Sequence, residues 1–324
     1  MKRTFSFALV VGLLLVWPIS SFGDSISQFV VFGDSLSDVG NVYIALGGAP
    51  PAPAPPAYTT GLYTDGPDSV PATSGPVGVW VQQLAGMVGV TSPGPSLAGG
   101  NNYAFGGALT GYDPTFGSGG EPYVGDQVNT YLAGHPGTLP SNALYVLWAG
   151  ANDIFGGESP LTAVSNLGAN INTLYADGAR QFLWLNMPPL GDTPDGIGSG
   201  ETAALNLLSQ EYNADWSSTI AMLDADDPGI QIVGVNVYAL VLAMLADPSA
   251  YGFVNTDTPA QGLNVDPNTY LYWDGVHPTT MGHYWVANLA YEDLSTPELP
   301  ASLLFGTAVL MLAFVFSRQQ RASA

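Results

Sequence analysis

Cysteine is absent from this chain of 324 residues. Its absence excludes disulfide bonds, a cysteine nucleophile and any metal site built from thiolates. Positive charge is scarce as well, because the chain has five lysine and arginine residues against 26 aspartate and glutamate residues. A surface of that sign repels a phosphate backbone, so the composition excludes DNA and RNA as binding partners.

The first 23 residues have the layout of a secretory signal peptide. Lys2 and Arg3 precede an apolar run over residues 5–17, and small residues follow before Asp24. This pattern predicts a signal peptide over residues 1–23 that is removed after Gly23. A permanent N-terminal anchor is the alternative, but the apolar run is short for a membrane span.

The C-terminal end carries a second apolar segment. Residues 301–316 are apolar and are followed by Arg318 and Arg321, which predicts a transmembrane helix over about 301–317 with a cytoplasmic end. With the preceding Pro-Glu-Leu-Pro of residues 297–300, the segment resembles the PEP-CTERM sorting signals of exported bacterial proteins. The resemblance implies a transient membrane tether and a C-terminal sorting or processing enzyme as partner. A plain C-terminal anchor is the alternative.

One domain is expected over residues 24–296, where continuous apolar runs alternate with helical patterns. We predict buried strands over four runs, because such runs are typical of a parallel sheet covered on both faces. Helical spacing follows in the segments between them, which predicts an α/β/α sandwich. The strands are expected at 28–32, 143–148, 181–185 and 230–235, and helices at 79–87, 162–177, 200–225 and 279–293.

A stretch rich in proline, alanine and glycine interrupts this pattern between residues 47 and 76. It predicts an extended surface loop whose Pro-rich part covers residues 49–57. The loop follows the first strand, so it either shapes a substrate entrance at the carboxyl edge of the sheet or is an inert insertion.

Ser35 is the candidate nucleophile, because it follows the first strand in Gly-Asp-Ser and is expected just before a helix. Serine needs a base to remove its proton. His277 can supply it, with Asp274 three residues earlier folding its carboxylate onto the imidazole. The alternative is a turn in which Asp274 merely caps a backbone amide.

Two further blocks offer neutral hydrogen-bond donors. Asn152 follows the second strand in Gly-Ala-Asn-Asp, and two glycines at 106 and 107 permit close backbone approach. His283 lies on the last helix, where packing or a hydrogen bond is expected, and His135 is expected in a loop. The acidic groups at 65–68 and 224–227 lack calcium-loop spacing and are interpreted as solvated surface charge.

The blocks GDSLSDVGN (33–41), NYAFGGA (102–108), GAND (150–153) and DGVHPT (274–279) resemble, in this order, the GDSL (SGNH) hydrolases. The likeness extends through residues 183–194 and 235–260. It implies a three-layer, flavodoxin-like fold with a mostly parallel, five-stranded sheet. It also implies a carboxylic ester hydrolase that forms an acyl-serine on small-molecule or lipid esters.

When the catalytic residues of that family are matched to this sequence, the resemblance implies that Ser35 is the nucleophile and His277 the base. Asp274 would orient His277. The oxyanion donors would be the Ser35 amide, the Gly107 amide, with Gly106 as the alternative, and the Asn152 side chain. Three further matching residues are Asp34, Asp38 and Asn41; the last two are expected to hold the nucleophile loop by hydrogen bonds.

We expect no cofactor and no metal. Two alternatives to hydrolysis stay open: acyl transfer at the same site, and a non-catalytic surface or matrix protein that retains the fold. The termini together predict export, to the cell surface, the extracellular matrix or the periplasm of a bacterium.

Overall fold

The computed structural model describes residues 26–49, 61–65 and 77–296. The expected signal peptide, the C-terminal segment and most of the Pro-rich loop lie outside these residues. Within the described residues, no helix is both long and apolar enough to cross a membrane.

Four parallel strands form the sheet in the order β1-β2-β3-β4. Their bounds agree with the predicted strands to within one residue at either end. The strands are β1 Gln28–Gly33, β2 Ala143–Trp148, β3 Gln181–Leu185 and β4 Gln231–Val235. Gly33 pairs with Trp148, so β1 and β2 end side by side at the carboxyl edge of the sheet.

Helices cover both faces of this sheet. The α-helices of the described residues are α1 Asn41–Ala45, α2 Trp80–Val88, α3 Val124–Gly134, α4 Ala151–Phe155, α5 Pro160–Ala176, α6 Pro194–Ser199, α7 Thr202–Asp226, α8 Val237–Ala246 and α9 Thr280–Ser295. One face packs against α2, α8 and α9, and the other against α3, α5 and α7. Alternate residues of each strand enter opposite cores, which is why the strands are apolar throughout. The predicted three-layer α/β/α fold is confirmed.

The resemblance implied five strands, whereas four are formed by the described residues. The place beside β1 is taken by residues 101–105, which make a parallel bridge at Val31 and Asn102 rather than a full strand. Tyr103 N–H donates to the Val31 carbonyl at 2.7 Å. On the far side, the Asn41 amide donates to the carbonyls of Asn102 and Ala104, at 2.8 and 2.9 Å. The carbonyls that face away from β1 are thus taken by a side chain rather than by a further strand.

Candidate active site

Ser35 lies directly beyond β1, in a hydrogen-bonded turn. The sequence predicted that a helix would begin here, and this is wrong, because α1 begins only at Asn41. The Asp34 carboxylate accepts the Leu36 amide at 3.0 Å. The Asp38 carboxylate accepts the amides of Gly40 and Asn41 at 2.7 and 2.6 Å. Asp34 thus holds the Ser35 turn, because its carbonyl also accepts the amides of Ser37 and Asp38 at 3.1 and 3.0 Å, whereas Asp38 takes amides at the start of α1.

His277 reaches Ser35 from the other end of the fold. Its Nε2 lies 2.8 Å from Ser35 Oγ. Its Nδ1 lies 2.8 Å from Asp274 Oδ2. With Nδ1 donating to the carboxylate, Nε2 is left to accept the serine proton. The structure therefore brings Ser35, His277 and Asp274 into one chain of hydrogen bonds.

Asp274 also caps its own turn. Its Oδ1 accepts the amides of Val276 and His277, at 2.9 and 2.7 Å. The two roles that the sequence left as alternatives therefore occur together: Oδ1 accepts the backbone amides, while the imidazole lies nearer to Oδ2, at 2.8 Å, than to Oδ1, at 3.1 Å. The carboxylate is buried, at 5% exposure, and its backbone contacts fix the direction in which Oδ2 points.

The three candidate oxyanion donors line the same cavity as Ser35 and His277. Gly106 N–H donates to Asp38 at 3.0 Å, so its amide is already used, whereas no acceptor among the described residues takes the amides of Ser35 or Gly107. This favours Gly107 over Gly106. Asn152 donates one amide hydrogen to the Ala108 carbonyl at 3.1 Å, and a second remains on the same nitrogen.

Residues 61–65, which lie within the stretch predicted to be an extended surface loop, are buried and brace the His277 loop. The Tyr63 ring lies against the imidazole, with centroids 5.2 Å apart. Thr64 Oγ1 donates to the Pro278 carbonyl at 3.0 Å. Asp65 accepts the Thr280 amide at the start of α9. Asp65 is buried, so its interpretation as solvated surface charge is wrong. Thr280 lies 215 residues away, and the sequence around Asp65 gives no signal of this contact.

The same loop is braced from the other side by α6. Asp195 N–H donates to the Gly275 carbonyl at 2.9 Å. A Cβ placed on Gly275 would fall 2.2 Å from the Asp195 carboxylate, so a larger residue here would have to displace that side chain. The loop that carries His277 is therefore fixed on both sides.

Buried carboxyl groups surround the nucleophile turn. Burial raises the pKa of Asp34 to about 7, against opposing effects from the Leu36 amide and His277. Burial likewise raises the pKa of Asp38 to about 6, although four backbone amides stabilise its ionised form. Asp38 and Asn41 make the loop-holding hydrogen bonds that were expected of them.

The other two histidines lie apart from Ser35. His283 is fully buried on α9, and burial lowers its pKa to about 3, so it packs as a neutral ring. His135 ends α3, with its Nδ1 2.9 Å from the Tyr131 carbonyl. Among the described residues, no group of three or more histidine and acidic side chains is placed to hold a metal ion.

A serine hydroxyl, an imidazole and a buried carboxylate, joined in that order at a sheet edge, form the arrangement of serine hydrolases. The family profile of the GDSL-like lipase/acylhydrolases matches residues 29–290. The chain belongs to this family.

Several relatives are similar over most of this chain. A Pseudomonas putida protein described as an uncharacterized protein in the trpE-trpG intergenic region is 32% identical, over 84% of this chain and 49% of the relative. Esterase EstA of Pseudomonas aeruginosa is 28% identical, over 84% of this chain and 47% of that protein. The chain thus spans about half the length of these relatives. An Arabidopsis thaliana GDSL esterase/lipase, At1g73610, is 28% identical over 85% of this chain and 91% of its own.

Solved structures of similar shape include an aryl esterase from Mycobacterium smegmatis and the carbohydrate acetylesterase Est24 from Sinorhizobium meliloti. The aryl esterase gives a TM-score of 0.46 at 16% identity, covering 84% of this chain and all of the other. Est24 gives 0.47 at 14% identity, covering 83% and 98%.

The raised pKa of Asp34 predicts a pH-dependent stability. Between its ordinary value of 3.8 and about 7, the folded state binds this proton and the unfolded state does not, so the free energy of unfolding falls as pH rises. In Asp34→Asn, the new side chain keeps the acceptor for Leu36 and cannot ionise. We expect the loss of Tm from pH 4.5 to 7.5 to be smaller in Asp34→Asn than in the parent chain, by several degrees. Thermal unfolding across this range measures it.

Asp226→Asn is the matched control, because it removes an exposed acid elsewhere and corrects for the general relief of negative charge. Parallel Tm curves for the parent chain and Asp34→Asn would show that the Asp34 carboxyl stays ionised throughout.

Asp65 predicts a second measurable effect on stability. Asp65→Ala leaves the Thr280 amide buried without its acceptor at the start of α9. We expect the free energy of unfolding to fall by about 1–2 kcal/mol in urea titrations. Asp226→Ala, at an exposed position, is expected to change it by less than about 0.5 kcal/mol. Equal effects of the two changes would contradict the bracing role of Asp65.

Proposed function

We propose that this chain is a carboxylic ester hydrolase that acts through an acyl-Ser35 intermediate. The observation that carries the proposal is the chain of contacts from Asp274 Oδ2 through His277 to Ser35 Oγ, with both distances at 2.8 Å. Membership of the GDSL-like lipase/acylhydrolase family and the likeness to a protein named Esterase EstA support it.

In the first step, Ser35 Oγ attacks the ester carbonyl carbon while His277 Nε2 takes the hydroxyl proton. Negative charge develops on the carbonyl oxygen, where the Ser35 and Gly107 amides and the Asn152 side chain donate to it. The intermediate collapses when the carbon–oxygen bond to the alcohol breaks. His277 returns its proton to the leaving oxygen, and the acyl group stays on Ser35.

In the second step, water attacks the acyl-Ser35 carbonyl and His277 removes a proton from it. The bond to Ser35 Oγ breaks, the proton returns to the serine, and the carboxylic acid leaves. Asp274 acts through His277, because its carboxylate fixes the ring and stabilises the imidazolium that forms in both steps.

Acyl transfer would use the same intermediate with an alcohol in place of water. The non-catalytic alternative is disfavoured by the intact hydrogen-bonded site, because a protein that kept the fold alone would have no need of it.

Replacement of Ser35 tests the mechanism. The full chain is expected to hydrolyse a p-nitrophenyl ester, and Ser35→Ala is expected to lower kcat by at least about 10³-fold. Asn152→Ala is expected to lower it by about 10²–10³-fold through loss of one oxyanion donor. Release of p-nitrophenol measures both.

Ser218→Ala, on the exposed side of α7, is the matched serine control and is expected to keep full activity. Undiminished turnover in Ser35→Ala would refute the mechanism. With butanol added, a butyl ester formed in excess of free acid would assign acyl transfer instead of hydrolysis.

We also propose that the chain is exported and briefly tethered through its C-terminal apolar segment before a sorting enzyme processes it. Support comes from the signal-peptide layout of residues 1–23 and from the Pro-Glu turn, apolar run and basic end after residue 296. Mass spectrometry of the native protein is expected to show an N-terminus near Asp24 and a C-terminus near residue 300. Intact termini in the cell fraction would contradict this proposal.

A further inference from the structure

The cavity at Ser35 extends well beyond the reacting groups. Its volume is about 310 Å³, at the lower end of the range for ligand pockets. Its acidic and basic side chains, Asp34 and His277, lie near Ser35. Most of the remaining lining is apolar, and the part contributed by α8, α9 and the loop between them is called the arm. Its side chains are those of Val237, Val241, Met244, Leu271, Tyr272 and Val286.

The arm lies inside the fold. Val237 and Met244 are 1% exposed and Val241 is 7% exposed, although all three face the cavity. These side chains belong to the hydrophobic core on the α2, α8 and α9 side of the sheet. A cavity with such walls favours an apolar occupant over water.

We propose that this arm binds the straight aliphatic acyl chain of the ester, with a preference for chains of about six to eight carbons. This proposal rests on the proposed function. A volume of 310 Å³ has room for roughly ten groups of water size, and the ester group takes some of these places. Each methylene that enters the arm raises kcat/KM by about fourfold, until the arm is full.

The order of the two chemical steps assigns the acyl part rather than the alcohol to the arm. The alcohol must leave before water can attack, whereas the acyl group stays on Ser35 throughout. An arm enclosed by buried side chains suits the group that stays, since a leaving alcohol needs an open way out.

Val241 is the position at which the chain-length preference can be changed. It faces the arm from α8, while its neighbour Leu242 is 42% exposed on the other side of the same helix. Val241→Phe narrows the arm and Val241→Ala lengthens it. Leu242→Phe adds a similar ring to the same helix without entering the cavity.

The test uses the full chain and p-nitrophenyl esters from acetate to dodecanoate. In the parent chain, kcat/KM is expected to rise to hexanoate or octanoate and then fall. Val241→Phe is expected to lower the ratio of octanoate to acetate kcat/KM at least tenfold. Val241→Ala shifts the optimum to longer chains, and Leu242→Phe keeps the parent profile. The ratio does not depend on how much of a variant is folded, because a loss of folded enzyme lowers kcat/KM for both esters equally. A ratio unchanged in both Val241 variants would therefore overturn the assignment.

A second series varies the alcohol, from ethyl to octyl acetate, and is expected to give a flat profile. If kcat/KM instead rises steeply with the length of the alcohol, and Val241→Phe abolishes this rise, the alcohol occupies the arm and the proposal is overturned. Binding of octanamide to Ser35→Ala, measured by calorimetry, needs no turnover. We expect octanamide to bind and acetamide not to bind. Val241→Phe is expected to lower the affinity for octanamide at least tenfold.

These readouts separate the two proposals. If octanamide binds and acetamide does not, but no ester is hydrolysed, the hydrolase proposal is wrong and the arm remains an aliphatic binding site. If esters are hydrolysed but neither kcat/KM nor amide binding depends on the length of the acyl chain, the arm proposal is wrong and the hydrolase proposal remains.

Discussion

The hydrogen bond between Ser35 Oγ and His277 Nε2 joins two points that are 242 residues apart in the chain. Misplacement of reacting groups by about 1 Å can cost roughly 100-fold in rate, so both ends must be fixed independently. Ser35 follows β1, at one edge of the four-stranded sheet, and is fixed by that strand and by the turn at Asp34. His277 lies on an irregular loop, and it depends on contacts from residues 61–65, from Asp195 in α6 and from the start of α9. These contacts hold the loop that carries His277.

The nucleophile turn is fixed by buried acids rather than by a helix. Asp38 accepts four backbone amides, including that of Gly106, so one carboxylate connects the turn to the glycine loop. Burial of Asp34 and Asp38 disfavours their charged forms, as their raised pKa values record. These hydrogen bonds offset part of that cost. The result is that the Gly107 amide, one residue beyond Gly106, is left without an acceptor among the described residues and lines the cavity.

Much of the fold could be predicted because strands buried on both faces leave continuous apolar runs, and these ended where expected. That Ser35, Asp274 and His277 lie together could be predicted because their motifs are short and local. Three features escaped prediction. In place of a fifth strand, residues 101–105 contact β1 on one side and the Asn41 side chain on the other. At Ser35, the expected helix is replaced by a turn that Asp34 holds through local hydrogen bonds. Asp65 resembled a surface acid because its partner, the Thr280 amide, lies 215 residues away.

The elements that position His277 also form walls of the cavity. Val276 and Pro278 flank the histidine, and Leu271 accepts the Thr279 amide just before α9 begins; all three side chains line the cavity. An occupant of the arm therefore packs directly against the loop that carries the base. Binding energy from parts of a substrate remote from the reacting atoms can be used to orient catalytic groups, in which case it raises kcat and not only affinity. Under the proposed function, the selection of an acyl chain and the alignment of His277 therefore depend on the same few residues between β4 and α9.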